Sequence, residues 1–197
     1  MAYSDFTLTQ LRERFDLQIA SITGAFESAL PIAPSAFLVT AIERGMPVAL
    51  GRGREKARSE ALVLPVLLEV RAIRNQQISV FSGIEFNVDR KQGLSGFCDF
   101  LIARSALQIE IEAPVVSIVE AKHEDLTQGI AQCLAEMHAA QIFNEKRENS
   151  IETVYGVITS GTAWRFLRLT GKSAEVDMTE YHIREIDKIL GIIVSMV

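Results

Sequence analysis

The chain has little cysteine. Cys98 and Cys133 are the only two among 197 residues, too few and too far apart for a disulfide framework or a zinc knuckle. A reducing compartment is the expectation. A long hydrophobic run is also lacking. No stretch reaches the roughly 18 apolar residues that a membrane helix needs, so no membrane partner is expected. The opening residues, MAYSDFTLTQLRERF, carry Asp5 and no apolar core, and do not read as an export signal. A soluble, cytoplasmic protein is therefore expected. There is no excess of positive charge either: 20 Lys+Arg stand against 25 Asp+Glu, a formal net charge of −5. That balance excludes a protein that coats nucleic acid through global charge, but leaves room for a local basic groove. Repeats and low-complexity tracts are absent. With 48% hydrophobic and 23% charged residues, wholesale disorder is excluded as well.

The periodicity suggests a mixed α/β sheet with helices on both faces. The first fifty residues read as a helical N-terminal extension. Thr7 or Thr9 caps a helix carrying Leu11, Phe15 and Leu17, and a second helix covers Ser35–Arg44. Gly45, Pro47, Gly51 and Gly53 break the next segment. A compact domain is expected over 51–197. It opens with a helical segment from Arg54 to Arg74, kinked or offset by Pro65. Strands are expected at 77–88, with a bulge or bend at Gly83, and at 96–103 and 115–122. The last of these is a nearly continuous apolar run, as expected of a central strand. A helix over 124–146, strands over Thr153–Ser160 and Trp164–Leu169, and a helix over 180–194 complete the order.

Three ionisable residues interrupt this apolar pattern. Asp99 lies among Phe97, Phe100 and Leu101, while Glu120 and Lys122 end the run VVSIVEAK. Side chains two apart on a strand share a face, which makes Glu120 and Lys122 neighbours. If the strands of Asp99 and Glu120 pair, the two carboxylates converge, and oxygen ligands of that kind suit Mg²⁺ or Mn²⁺. A lysine beside such an ion can orient or polarise an attacking water, and the set fits metal-assisted phosphodiester hydrolysis.

GFCDF followed by VVSIVEAK resembles the Asp … Glu-x-Lys signature of the PD-(D/E)XK nuclease superfamily, whose restriction-endonuclease-like fold has an αβββαβ core. The resemblance covers roughly residues 54–170. It extends to small stand-alone members and to N-terminal regions of type I restriction subunits, through EAK, a Gln-bearing helix and GVITSGTAWRFLRL. The resemblance implies a Mg²⁺-dependent endonuclease in which Asp99 and Glu120 hold the metal and Lys122 assists the water. It also implies a further acid from the first core helix. Glu60 is the best match and Glu69 the competitor. Gln128 and Gln132 fit the polar place on the helix after Glu-x-Lys. Cys98 departs from the pattern, standing where the superfamily's proline precedes the aspartate.

Each of these residues also has an ordinary structural reading. Glu120 and Lys122 can form a salt bridge at a strand end, and Asp99 can cap a turn. Glu60 can pair with Lys56, and Gln128 and Gln132 can be plain helix polar positions. Arg52, Arg54, Lys56 and Arg58 form the densest basic cluster, a candidate for holding substrate phosphates or a solvated helix start. Two functions fit these residues. The first is a nuclease acting on DNA as a homodimer or with a partner subunit, since one site cuts one strand. The second is a catalytically silent binding or assembly module that keeps the fold.

Overall fold

The computed structural model describes residues 1–51, 55–121, 126–149 and 151–197. After a single 3-10 turn, helix α1 (Leu8–Phe15) is capped by Thr7, whose hydroxyl accepts the Gln10 N–H at 3.2 Å. It stops at Phe15, because Asp16 takes a left-handed conformation (φ 57°). Leu17 thus lies beyond the helix, and β1 (Gln18–Ile22) comes next. Helix α2 (Ala36–Leu50), capped by Ser35, runs through Gly45 and Pro47, where the sequence predicts a break. Tertiary packing overrides propensity here: Leu38 and Ala49, on either side of Pro47, are both fully buried.

The segment around Pro65 has a more specific shape. Helix α3 (Glu55–Arg58) passes into a π-helical turn (Ser59–Val63) and then into α4 (Leu64–Ile73). The Leu64 N–H donates to the Ser59 carbonyl, five residues back. Pro65 has no N–H for the carbonyl four residues back, and its ring would strike that carbonyl in a regular helix. The widened turn is the offset that the proline predicts.

Strands β2 (Ser79–Glu85), β3 (Phe97–Ala103) and β4 (Val115–Ala121) pair antiparallel in sequence order. A 3-10 turn (Leu126–Gly129) and helix α5 (Ile130–Lys146) cross over to β5 (Thr153–Thr159), which lies parallel to β4. Then β6 (Ala163–Thr170) and β7 (Ser173–Asp177) continue antiparallel. Strand β8 (Tyr181–His182) pairs with β6, and α6 (Ile186–Met196) closes the fold. The mixed sheet has eight strands, in the order β1-β7-β6-β5-β4-β3-β2 with β8 beside β6. Among the described residues, no helix is long and apolar enough to cross a membrane.

Three strands were not expected. Strand β1 pairs parallel with β7, from Gln18–Ser173 to Ile22–Asp177. The first fifty residues are therefore not wholly helical, and Tyr3, Phe6, Leu11 and Phe15 enter the same core layer as α5. Strands β7 and β8 occupy the stretch before the last helix, which starts at Ile186 rather than near 180.

Helices cover both faces of the sheet. Cys133, Leu134 and Met137 of α5 pack with Leu101, Ile118, Ile158 and Leu167 on one side. Leu38, Val66, Leu67, Ile189 and Ile192, from α2, α4 and α6, pack with Phe100, Val119, Trp164 and Phe166 on the other. Trp164 and Phe166 are thus core residues, while Tyr155 is only half-buried.

Candidate functional site

The regular alternation of β2 and β3 breaks at one level. Phe81 belongs to the layer under α5, as do Ile84 and Phe86, so the strand switches faces between 81 and 84. Gly83 lies in that gap with φ +58°, a conformation that a residue with a side chain rarely adopts. Across the ladder, Ser82 pairs with Phe100 and Ile84 with Cys98, which puts Gly83 opposite Asp99. The same switch occurs in β3. Cys98 lies under α5, whereas Phe100, two residues on, lies under α4. In a regular strand the two would share a face.

Asp99, at the switch, turns toward the side of α3 and the π turn. There it lines a cleft of about 620 Å³ with Glu55, Lys56, Ser59, Glu60, Ser82, Gly83 and Ala121. Among the described residues, none beyond its chain neighbours comes within 4 Å of where a Gly83 Cβ would stand, and Gly83 lines the same cleft as Asp99. One carboxylate oxygen of Asp99 accepts the Ala121 N–H at 2.8 Å. The β3–β4 ladder runs to Phe100–Val119 at this end. Beyond that pair, the Asp99 side chain bridges to β4 in place of a backbone bond. Its carboxylate is thereby anchored one peptide unit from Glu120.

Glu120 is 1% exposed. Ile118, two residues earlier, packs under α5, and alternation carries Glu120 to that same face, while Ala121 lines the cleft with Asp99. Asp99 and Glu120 thus stand near one end of β4 on opposite sides of the sheet. The sequence expectation that the two carboxylates converge rests on the pairing of their strands; β3 and β4 do pair, but the two side chains leave on opposite faces.

Above Glu120 lies a pair of which the sequence pattern pointed to one member. Asn144 clamps the C-terminal part of α5 to the start of β4, accepting the Val115 N–H and donating to the Val115 carbonyl, both at 2.8 Å. Glu120 is about 16 Å along the strand from Val115 at roughly 3.3 Å per residue. Glu136 and Gln132 are about 12 and 18 Å back along the helix from Asn144 at 1.5 Å per residue. The helix therefore sets both over the Glu120 end of β4. The Gln132 amide donates to the Glu136 carboxylate at 3.1 Å, and Glu136 is fully buried. Burial, then the charges of Glu136 and Glu120, push the Cys98 thiol well above its ordinary range. Glu136 was missed. The signal that could have found it is its spacing of four from Gln132, on one helix face.

The other expected site residues separate. Glu60 lines the cleft, 65% exposed, and pairs with Lys56 (84% exposed) at 3.7 Å, as its structural reading expects. Glu69 is not available to the cleft. Its two oxygens take the Ser35 N–H and hydroxyl, each at 2.8 Å, and thereby fix the start of α2. Arg58 reaches instead toward the Ser160 carbonyl (3.5 Å), and is not one of the described residues that line the cleft. Gln128 is exposed on the 3-10 turn before α5. Lys122, Arg52 and Arg54 lie outside the described residues.

Asp99, Glu120 and Glu60 are oxygen donors, the type that suits Mg²⁺ or Mn²⁺ rather than a softer ion, with Glu120 on the opposite face of the sheet from the other two. No three His, Cys, Asp or Glu side chains among the described residues form a ready ligand group. Mg²⁺ usually takes one or two protein carboxylates and completes its shell with water and substrate phosphate. Neither a protein-family model nor a curated protein matches the chain.

Proposed function

We propose that the chain is a Mg²⁺- or Mn²⁺-dependent nuclease that hydrolyses DNA phosphodiester bonds, with a restriction-endonuclease-like core of the PD-(D/E)XK type. The observation that carries this reading is the Asp99–Ala121 bond, which ties the carboxylate of one strand to the backbone beside Glu120 at the mouth of an open cleft. The strand order supports it too: three antiparallel strands, a crossover helix and a parallel fourth, preceded by α3 and α4, match the αβββαβ pattern.

Asp99 and Glu120 would hold the ion, with Glu60 at the rim. A divalent cation in such a site polarises a phosphoryl oxygen and lowers the pKa of bound water. The protein's own part is orientation and charge. The Ala121 N–H fixes the Asp99 carboxylate, and burial keeps Glu120 in one place. Lys122 takes the role of orienting the attacking water from the resemblance alone. One such site cuts one strand, so duplex cleavage calls for a homodimer or a partner subunit.

Purified protein incubated with plasmid and oligonucleotide DNA in Mg²⁺ or Mn²⁺ tests this. The expected result is cleavage that Asp99→Ala, Glu120→Gln and Lys122→Ala each lower by at least about a hundredfold, a typical loss for a group acting directly in the chemistry. No cleavage, or cleavage indifferent to all three, refutes the reading.

A specific observation favours the second reading, a catalytically silent binding or assembly module. Alternation sends Glu120 to the α5 face and Asp99 to the cleft. A fold that keeps the backbone bond of Asp99 for its structural worth alone would show the same geometry. Such a module leaves DNA intact and is stabilised by its partner instead.

A further inference from the structure

Register places Glu120 of β4 beside Ile158 of β5, and Ile158 beside Arg165 of β6. Ile158 and Leu167 both belong to the layer under α5, so alternation puts Arg165 on the Glu120 face, two strand spacings or roughly 10 Å away. Arg165 is 8% exposed. Its Nε and Nη1 are buried and have no hydrogen-bond partner, which leaves three of the five guanidinium N–H groups unused. Nη2 stands 3.9 Å from a Glu180 oxygen, beyond hydrogen-bond reach, and the Glu180 side chain is half exposed. A guanidinium withdrawn from water without acceptors is costly, and such an orphan calls for an explanation.

We propose that Arg165 is a phosphate-binding residue of the site, taking a DNA phosphate close to the reacting one in exchange for Glu180. This rests on the nuclease reading for the identity of the anion. Nη2 shares an edge of the guanidinium with Nε and another with Nη1. An oxyanion that displaces Glu180 at Nη2 therefore gains a bidentate fork, which the carboxylate does not have at 3.9 Å. A displacement of roughly 10 Å from Glu120 is too long for a single phosphate to touch both residues. Arg165 thus holds a flanking phosphate rather than the one attacked. Glu180 serves as the resident anion that keeps the arm in place until substrate arrives.

The test uses the full chain with two probes: inorganic phosphate, read as the shift in Tm against chloride at equal ionic strength, and a fluorescein-labelled DNA oligonucleotide, read by anisotropy without divalent cation. Phosphate is expected to raise the Tm of the wild type. Arg165→Met is expected to abolish that shift and weaken oligonucleotide binding at least tenfold, with Arg165→Lys intermediate. Glu180→Gln is expected to tighten both several-fold, and, with Arg165→Lys, carries the test if Arg165→Met does not fold. A wild type without a phosphate-dependent shift, or variants that bind like it, overturns the proposal. The two readings fail separately. A phosphate response that needs Arg165 without any Mg²⁺- or Mn²⁺-dependent cleavage keeps the anion site and refutes the nuclease. Cleavage that needs Glu120, with phosphate binding indifferent to Arg165, does the reverse.

Discussion

At the level of single residues, the cleft depends on what Gly83 lacks. Its φ of +58° suits glycine, and the space where a Cβ would project is empty. Gly83→Val sets a β-branched residue in a left-handed conformation, which costs about 1–3 kcal/mol, and fills the opening over Asp99. The expected outcome is a lowered Tm together with at least a tenfold loss of cleavage, about 1.4 kcal/mol of barrier, measured well below the melting transition. An unchanged rate would mean that substrate does not enter over Gly83. The sequence pointed to a bend here, but not to its consequence. Apolar flanks mark Asp99, Glu120 and Lys122 as misplaced on a sheet, and the Asp99–Ala121 bond is consistent with that. The switch of faces between Cys98 and Phe100 is invisible in the string GFCDFLI. It comes from a distortion at Gly83 and Asp99, facing positions on two strands that meet only in the fold. For the same reason the sequence could not tell Glu60 from Glu69, since what removes Glu69 is Ser35, 34 residues away.

Among the elements, the π turn presents Ser59 and Glu60 to the cleft, and α2 holds it. A Cβ built on Gly45 would stand 2.4 Å from the Ala61 carbonyl oxygen, so α2 approaches the turn closely enough to exclude any side chain. The sign of the Gly45→Ala effect is therefore diagnostic. At an ordinary helix position, alanine stabilises by about 1 kcal/mol relative to glycine. Here the forced displacement of backbone is expected to destabilise by about 1–3 kcal/mol. At a size of 197 residues, that lowers Tm by about 2–4 °C per kcal/mol. A rise in Tm in a thermal melt would contradict the packing described. Elements with dense apolar runs, β3 to β6 and α5, were legible because burial on a central strand or a crossover helix leaves a compositional mark. Strands β1 and β7, QIASI and SAEVD, carry few β-branched or aromatic residues. Strand β1 is held by its pairing with β7 across the length of the chain, which local pattern cannot reveal, while β7 also forms a hairpin with β6.

Across the whole molecule, β1 and the N-terminal aromatic residues belong to the sheet and to the layer beneath α5. The site is therefore braced from both faces: α2 and the π turn behind the cleft, and α5 over the Glu120 face. That construction bears on the acidic balance of the chain. Part of the charge of −5 is carried by Asp99, Glu120 and Glu60, and a divalent cation bound there would offset it. The proposed mechanism stands or falls on Asp99 and Glu120, which reach the end of β4 from opposite faces, holding one ion between them. Calorimetric titration of the full chain with Mn²⁺ reads this. Saturable binding of one ion per chain is expected, lost in Asp99→Ala and lost again, independently, in Glu120→Gln. Absence of binding, or binding that survives either substitution unchanged, would refute a shared ion.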